Sequence, residues 1–211
     1  MLGIIHFGTF LITGILLNLT PGTDTMYVLG KSLSGGKQLG YLSALGIGTG
    51  SLVHTLFAAF GLSIVLKESQ IAFNIVKYLG AVYLAYLGVK LIMKAKNEKF
   101  DLVTVETQDK YFETYISGVF TNILNPKVAL FYLAFLPQFI DSNYEYNFLS
   151  FIVLGVIFTM TGTIWCLILA KFSSKFSQKI KTNVKIKKWV DRLTGLILIL
   201  LGIKLALGKL K

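Results

Sequence analysis

The chain alternates long apolar segments with short polar ones, and the apolar segments have the length of membrane-spanning helices. A hydrocarbon core about 30 Å thick takes about 20 helical residues to cross. We therefore predict an all-α integral membrane protein with six transmembrane helices and no large extramembrane domain. Their approximate bounds are 1–29, 39–66, 71–93, 114–136, 146–170 and 189–210.

The two halves of the chain share sequence patterns. YLGVKLIM at 86–93 aligns with LLGIKLAL at 200–207, and GILLNLTPG from Gly14 resembles GVFTNILNPK from Gly118. A repeat of three helices crosses the membrane an odd number of times, so its second copy enters from the opposite side. We predict one transmembrane domain of two inverted three-helix repeats, 1–94 and 111–211. Chance similarity between Leu- and Gly-rich helices is the alternative.

Two prolines interrupt the first and fourth predicted helices. Pro21 and Pro126 lack an N–H and clash with the carbonyls four residues back, on Leu17 and Asn122, so both helices are predicted to be broken there. Unpaired backbone groups in hydrocarbon cost several kcal/mol each, so polar partners are needed. The nearby candidates are Asn18, Thr20, Asn122 and Asn125. In the simpler interpretation, the two kinks only shape the helix bundle.

The charges nearest the breaks are Asp24 and Lys127. Asp24 suits the ammonium of a small ligand, and Lys127 suits its carboxylate. The amino ends of the two half-helices beyond the breaks, facing each other, also attract an anion. The predicted substrate-binding residues are Asn18, Gly22, Asp24, Asn122, Asn125 and Lys127. Alternatively, Asp24 and Lys127 form a structural ion pair.

His54 is the only ionisable side chain in the second predicted helix. Together with Asp24 it is a candidate proton relay, and a hydrogen-bonded structural histidine is the alternative. Ser51 lies one helical turn away, but an intramembrane hydrolase would also need an orienting group and an oxyanion hole, so we expect no enzymatic activity. Close helix packing accounts for a ladder of small residues nearby, Gly46, Gly48 and Gly50.

Composition and charge placement support a membrane protein. Hydrophobic residues make up 54% of the chain, and the net charge is +11. Loops 31–38, 94–113 and 171–188 hold two, four and seven basic residues, which predicts that these loops are cytoplasmic and both termini are outside. The charge therefore does not indicate a nucleic-acid partner. Loop 171–188 either contacts anionic lipid or serves only as an orientation signal.

Three motifs carry a family resemblance: NLTPGTD at 18–24, ALGIGTGSLVH at 44–54 and TNILNPKVALFYLAFLPQF at 121–139. In this order they resemble the amino-acid exporter family named for its lysine exporter, in the branch of homoserine and threonine exporters. The family pattern at the first break is Pro-Gly-Pro-Asp, and Thr23 stands at its second proline. The resemblance implies a multi-pass carrier of the bacterial inner membrane that exports amino acids or their derivatives. It also implies exchange for protons and assembly as a homodimer.

The leading functional prediction is therefore a secondary transporter without a cofactor. The sequence contains no GxxxxGK[ST] phosphate-binding loop that would support ATP hydrolysis. The alternative is a small-ion or metal-cation efflux carrier on the same scaffold, with Asp24 and the asparagines as ligands. One cysteine, Cys166, and two histidines make a dedicated transition-metal site a poor fit.

Overall fold

The structure, a computed structural model, describes residues 2–64, 70–94, 111–141, 144–173 and 184–207. These residues are mainly helical and contain no strand, apart from an isolated antiparallel bridge between Ile4 and Ile140. Most of the predicted loops 94–113 and 171–188 lies outside the described residues.

The helices occupy the predicted apolar segments. The α-helices are α1 Phe7–Leu19, α2 Thr23–Ser34, α3 Gly36–Phe57, α4 Gln70–Lys94, α5 Tyr111–Ile123, α6 Pro126–Leu130, α7 Asn147–Lys171 and α8 Val184–Leu207. Helix α3 continues as a π-helix over Ala58–Leu62. Helix α6 continues as a π-helix over Phe131–Phe135 and a 3₁₀ turn over Leu136–Phe139.

Several helices have the length and composition of membrane spans. Within the described residues, Gly36–Leu62 and Asn147–Lys171 are each long and apolar enough to cross a membrane. The bent pair Tyr111–Ile123 and Pro126–Phe139, with a 46° angle at the break, together forms a third such segment. The all-helical prediction and the membrane character of the chain are thus confirmed at this coarser level, whereas the count of six spans stays a prediction.

Both proline-containing segments are interrupted as the sequence predicts. The first helix ends at Leu19 and resumes at Thr23, and the fourth ends at Ile123 and resumes at Pro126. Helix α2 runs to Ser34, beyond the predicted limit near residue 29. It ends where Gly36 adopts a φ of 81°, a left-handed conformation that a glycine accepts without strain.

Small residues bring the helices into close contact. A Cβ atom on Gly46 would lie 2.2 Å from the carbonyl oxygen of Tyr115 in α5, and one on Gly50 would lie 2.7 Å from that of Val119. Helices α4 and α8 approach in the same way, since a Cβ on Gly88 would lie 2.4 Å from the carbonyl oxygen of Gly195. The glycine ladder therefore serves helix packing, as predicted for Gly46 and Gly50.

The helix ends sort into two groups. At one end, Tyr111 Oη donates to Gln38 Oε1 at 2.9 Å, and a Cβ on Gly40 would lie 2.9 Å from Cβ of Ala170. At the other end, the amide of Asp141 donates to the carbonyl of Gly3 at 2.8 Å. The residues that border the three basic loops thus lie together, away from the amino-terminal segment.

Candidate functional site

A small cavity lies between the broken helices and the two long helices α3 and α7. Its volume is about 30 Å³, which is room for about one water molecule. Both halves of the chain contribute to its wall. The lining residues are Asn18, Asp24, Thr25, Ile47, Gly48, Ser51, Asn122, Lys127, Val128, Phe158, Thr159, Gly162, Thr163 and Cys166.

Asp24 lies in the first turn of α2 and joins the two breaks. Its Oδ2 accepts a hydrogen bond of 2.9 Å from Nδ2 of Asn122. By geometry its Oδ1 and the Oδ1 of Asn122 have no hydrogen-bond partner, although the side-chain amide of Asn125 also interacts with the Asp24 carboxylate. An unsatisfied buried polar atom costs about 1–3 kcal/mol, so two neighbouring residues each hold a free acceptor at the cavity.

The amino end of α2 has no side-chain cap, since the preceding residue is Gly22. The first bond of the helix runs from the amide of Met26 to the carbonyl of Gly22 at 3.0 Å, so the preceding amides of the first turn have no helical acceptor. Thr23 is the first residue of the helix, a position that also favours proline, and unlike proline it supplies an N–H.

The second half-helix is different, because Asn125 caps it. Its Oδ1 accepts from the amide of Lys127 at 3.0 Å, while by geometry its buried Nδ2 has no hydrogen-bond partner. The α-helical part, Pro126–Leu130, is also only one turn long before the π-helix begins. The expectation of two open amino ends facing each other is therefore wrong for this end, since the chain's own side chain occupies it.

The Lys127 ammonium lies against the end of α1. Its Nζ donates to the carbonyl of Leu17 at 3.2 Å, to the carbonyl of Thr20 at 3.0 Å and to Oγ1 of Thr20 at 3.5 Å. The hydrogen-bond partner of Asp24 is Asn122, and Lys127 acts on the Asp24 carboxylate through its charge without a direct hydrogen bond, so a structural role for this charge pair stays an alternative. Gly22 leaves space here, because a Cβ on it would lie 3.3 Å from Nζ.

His54 lies behind Asn122 and does not line the cavity. Its Nε2 lies 3.2 Å from the carbonyl oxygen of Asn122, which can only accept, so Nε2 carries the proton. Its ring stacks on Tyr132 with centroids 5.5 Å apart and a 16° angle between the planes. His54 contacts Asp24 only through Asn122, so the structure does not join the two into a direct relay.

Ser51 is not paired with His54. Its Oγ instead bonds Oη of Tyr132 at 3.0 Å and Oγ1 of Thr159 at 2.8 Å. Tyr132 also bonds Thr55 at 2.9 Å, so the four hydroxyl groups form one buried cluster. The sequence did not indicate this cluster or the cavity position of Thr159. The features that could have indicated it are a tyrosine six residues after Pro126 and hydroxyl residues on the fifth apolar segment.

The two breaks share one chemical feature. Each proline removes the amide that would bond the carbonyl four residues earlier; that carbonyl instead accepts from the amide three residues later and from an ionisable side chain of another helix. Leu17 O accepts from Lys127, and Asn122 O accepts from His54. The predicted polar partners also act locally, since Thr20 Oγ1 donates to Leu17 O at 2.5 Å.

Each break also has an asparagine that packs against a glycine of a long helix from the other half. Asn18 Nδ2 donates to the carbonyl of Phe158 at 3.2 Å, and a Cβ on Gly162 would lie 3.0 Å from Asn18 Oδ1. A Cβ on Gly50 would lie 2.8 Å from Cβ of Asn122. The cavity is thus bounded by helices from both halves of the chain.

The structure brings most of the predicted residues together. Asn18, Asp24, Asn122 and Lys127 line the cavity. Gly22 and Asn125 border it through Lys127, as do the prolines at positions 21 and 126 beside them. Within the described residues, no group of three or more His, Cys, Asp or Glu could hold a metal ion.

Comparison with known proteins identifies the family. A family model described as LysE type translocator matches residues 15–209. The chain is 39% identical over 197 residues to a Bacillus subtilis (strain 168) protein named uncharacterized membrane protein YrhP, covering 89% of this chain and 92% of that one. It is 31% identical over 204 residues to the leucine efflux protein of Salmonella typhimurium (strain LT2), covering 97% and 96%. No solved structure matches.

The chain therefore belongs to the LysE type translocator family. The family resemblance found in the sequence motifs is confirmed, and the family is one of transporters rather than enzymes. The homoserine and threonine branch is not confirmed, because the relatives with a named substrate are leucine efflux proteins.

Proposed function

We propose that the protein is a secondary carrier that exports amino acids across the bacterial inner membrane. Leucine and similar aliphatic amino acids are the first candidates, because relatives that match 97% of the chain are named leucine efflux proteins. The carrier would use the cavity between the breaks as its substrate site. It needs no cofactor for this role.

One observation carries the proposal: two unpaired acceptors, Asp24 Oδ1 and Asn122 Oδ1, are buried beside the same cavity. The ammonium of an amino acid has three donors and one positive charge, so it can satisfy both oxygens and neutralise Asp24. Hydrogen bonds to charged groups contribute about 1.5–3 kcal/mol each, which suits a reversible site in a carrier.

The rest of an amino acid also has partners here. The uncapped amino end of α2 offers backbone N–H groups to a carboxylate, and the nearby charge of Lys127 adds to the field. Ile47, Val128 and Phe158 provide an apolar part of the wall for an aliphatic side chain. Asn18 and Asn125 fix the surrounding backbone.

Substrate binding requires the helices to separate. A cavity of about 30 Å³ has room for about one water molecule, so the proposed site must widen to admit a leucine side chain. The breaks at Pro21 and Pro126 provide points where half-helices can tilt, because the hydrogen-bond ladder is already interrupted there.

Proton antiport is part of the proposal. Asp24 Oδ1 can accept either the substrate ammonium or a proton, but not both. Competition for one oxygen couples the two fluxes, because substrate release on one side follows proton binding there. Asp24 thus combines both roles, and His54 supports Asn122 rather than carrying the proton.

We also propose the architecture of six spans in two inverted repeats, 1–94 and 111–211. The repeat alignment pairs Gly88 with Gly202 and Ala81 with Gly195. Gly88 packs against Gly195, and Gly202 packs against Ala81, which are equivalent contacts with the halves exchanged. Such exchange is expected of two repeats related by a twofold axis.

An efflux experiment tests the proposed function. Cells with and without the protein are loaded with labelled leucine, alanine, threonine or lysine, and the loss of label is followed. We expect faster efflux of leucine with the protein. Isoamylamine, which lacks the carboxylate, and 4-methylpentanoate, which lacks the ammonium, should compete poorly because each leaves half of the site unsatisfied.

Equal efflux of all four amino acids with and without the protein would contradict the proposal. Altered tolerance to a metal ion in the same cells would instead favour the cation efflux carrier. The substitution Glu113→Gln serves as a control, because this exposed carboxylate lies in the first turn of α5 and does not line the cavity.

A further inference from the structure

We infer that the carboxyl end of α1 is an ammonium-binding site, formed by Leu17 O, Thr20 O and Thr20 Oγ1, and that Lys127 of the other half fills it. Nothing in this inference depends on which substrate the carrier moves. It assigns Lys127 a task distinct from contacting the substrate carboxylate.

The geometry matches a primary ammonium. Three oxygens lie 3.0–3.5 Å from Nζ, and an alkylammonium has three N–H donors. With all three donors directed to α1, none is left for a substrate carboxylate. Lys127 therefore acts on a substrate anion only through its charge.

The chemistry of the helix end also favours a cation. The last carbonyls of an α-helix have no intrahelical donors and carry partial negative charge. Pro21 has no N–H to offer to Leu17 O. This carbonyl accepts instead from the amide and the hydroxyl of Thr20 and from Lys127. Thr20 is 3% exposed, so little solvent reaches its oxygens. A buried donor must therefore supply the hydrogen bonds that water would otherwise make.

Gly22 provides independent support for a site shaped to an ammonium. Its backbone is extended, with φ of −150°, so glycine is not needed for conformation. A Cβ would instead lie 3.3 Å from Nζ and 3.5 Å from Cε of Lys127. The missing side chain thus leaves the space that the lysine head occupies.

The consequence concerns how the halves are joined. The ammonium is on α6, directly after the second break, and its acceptors are at the first break. One side chain therefore ties the two breaks together. In transporters with broken helices, unwound carbonyls can bind a free cation. In this carrier the Lys127 ammonium occupies such a position.

Chemical rescue tests the site. Lys127→Ala removes three carbons and the nitrogen beyond Cβ, which is propylammonium. We expect propylammonium to raise the Tm of the purified Lys127→Ala variant by about 3 °C. Trimethylpropylammonium has the same charge but no N–H donor, and we expect it to have no effect.

Two controls define the result. The wild type fills the site with its own ammonium, and the Lys127→Met side chain fills the stem region that propylammonium would need, so propylammonium should leave the Tm of both proteins unchanged. Equal stabilisation of all three proteins, or none of Lys127→Ala, would overturn the inference. Stabilisation of Lys127→Ala by trimethylpropylammonium to the same extent would also overturn it, because charge alone would then suffice.

A second measurement covers the case in which Lys127→Ala does not fold. Hydrogen exchange of the segment 14–22 is compared between the wild type and Lys127→Met, which retains the apolar stem. We expect faster exchange at the end of α1 in the variant. Unchanged exchange there would overturn the inference whatever the outcome of the efflux experiments.

Discussion

Hydrogen bonding at single residues explains how two prolines are tolerated in the apolar interior. A freed carbonyl in hydrocarbon costs several kcal/mol unless a donor reaches it. The amide three residues later donates to each carbonyl, and a side chain of another helix adds a further donor, Lys127 for Leu17 and His54 for Asn122. Asn122 also donates a hydrogen bond to Asp24, at which the substrate ammonium is proposed to bind. His54 therefore positions this substrate site through Asn122 without contacting it.

This role predicts a clear order among His54 variants. Gln places a donor near the position of Nε2, whereas Asn is too short and Leu has no donor. We expect His54→Gln to keep substrate-dependent and proton-dependent efflux near the wild-type level. His54→Leu should lower the Tm by about 2–4 °C, which corresponds to the loss of one buried hydrogen bond, and reduce efflux.

Efflux driven by a pH gradient distinguishes positioning from proton transfer. Glutamine cannot carry a proton, so loss of the pH-gradient response in His54→Gln, with the fold intact, would show that His54 is a relay after all. Equal activity of His54→Gln and His54→Leu would show that its hydrogen bond to Asn122 is not needed.

The sequence identified the residues of the site whose chemistry is unusual for a membrane helix. Asp24 and Lys127 are charges in apolar segments, and Asn122 and Asn125 flank a proline, so each is visible locally. The cluster of Ser51, Tyr132 and Thr159 was not visible, because hydroxyl residues are common in helix interfaces. Ser51 lies 81 positions before Tyr132 and 108 positions before Thr159 in the chain, so only tertiary packing determines that they pair.

At the scale of helices, the second break has its own test. Pro126→Ala restores an N–H that can donate to Asn122 O in place of His54. We expect a more continuous helix, a weaker His54 contact and leucine efflux reduced about tenfold, with normal membrane insertion, since insertion depends on summed apolarity. Efflux and the amount of membrane-inserted protein are measured together.

Pro137→Ala, in the 3₁₀ turn beyond the π-helix, is the matched control for that prediction. If Pro126→Ala exports leucine as well as this control does, the break is a passive kink. The simpler interpretation, in which the two proline kinks only shape the helix bundle, would then be correct.

Substitutions in the glycine ladder of α3 distinguish residues that pack helices together from residues that shape the cavity. A Cβ on Gly48 would lie 2.6 Å from Thr163 Oγ1, a side-chain atom at the cavity wall that can rotate. We therefore expect Gly48→Ala to fold and to lower leucine efflux about tenfold more than alanine efflux. Gly61→Ala on the same helix meets open space and is the control.

Gly46→Ala should behave differently, because its Cβ would lie 2.2 Å from backbone of α5 that cannot rotate away. It should lower the amount of folded protein without changing selectivity. Equal leucine-to-alanine ratios for Gly48→Ala and the wild type would remove Gly48 from the selective wall.

Helix positions followed from apolar runs, but helix ends did not. Helix α8 begins at Val184, before the predicted residue 189, because its basic first turn is helical yet not apolar. Helix α2 likewise extends through Lys31 to Ser34. Hydropathy locates the part of a helix that lies in lipid, whereas Gly36 and the caps determine where the helix itself ends.

At the scale of the whole molecule, the charge distribution predicts the orientation. Thirteen basic residues lie in the loops 31–38, 94–113 and 171–188. The described borders of these loops lie at one end of the molecule. We expect both termini outside, so a reporter active only in the cytoplasm should be inactive after Lys211 and active within 94–113.

The opposite pattern of reporter activity would contradict the predicted orientation with both termini outside. Equal activity at the two positions would contradict the three predicted spans between them. The homodimer that the family resemblance implies stays a prediction. So do the inverted repeats, although the exchanged contacts between α4 and α8 support them.

The central claim is that Asp24 exchanges an amino-acid ammonium for a proton. Its most direct test is leucine exchange in proteoliposomes of known internal pH, comparing the wild type with Asp24→Asn and the Glu113→Gln control. Asparagine keeps the size of the side chain but removes the charge. The lost hydrogen bond to a charged group corresponds to about 10–150-fold weaker leucine binding.

We expect Asp24→Asn to lose both leucine exchange and the response to a pH gradient while its Tm stays close to that of the wild type. Glu113→Gln should retain both activities. Leucine exchange by Asp24→Asn at the wild-type rate, with the same dependence on the pH gradient, would contradict the account.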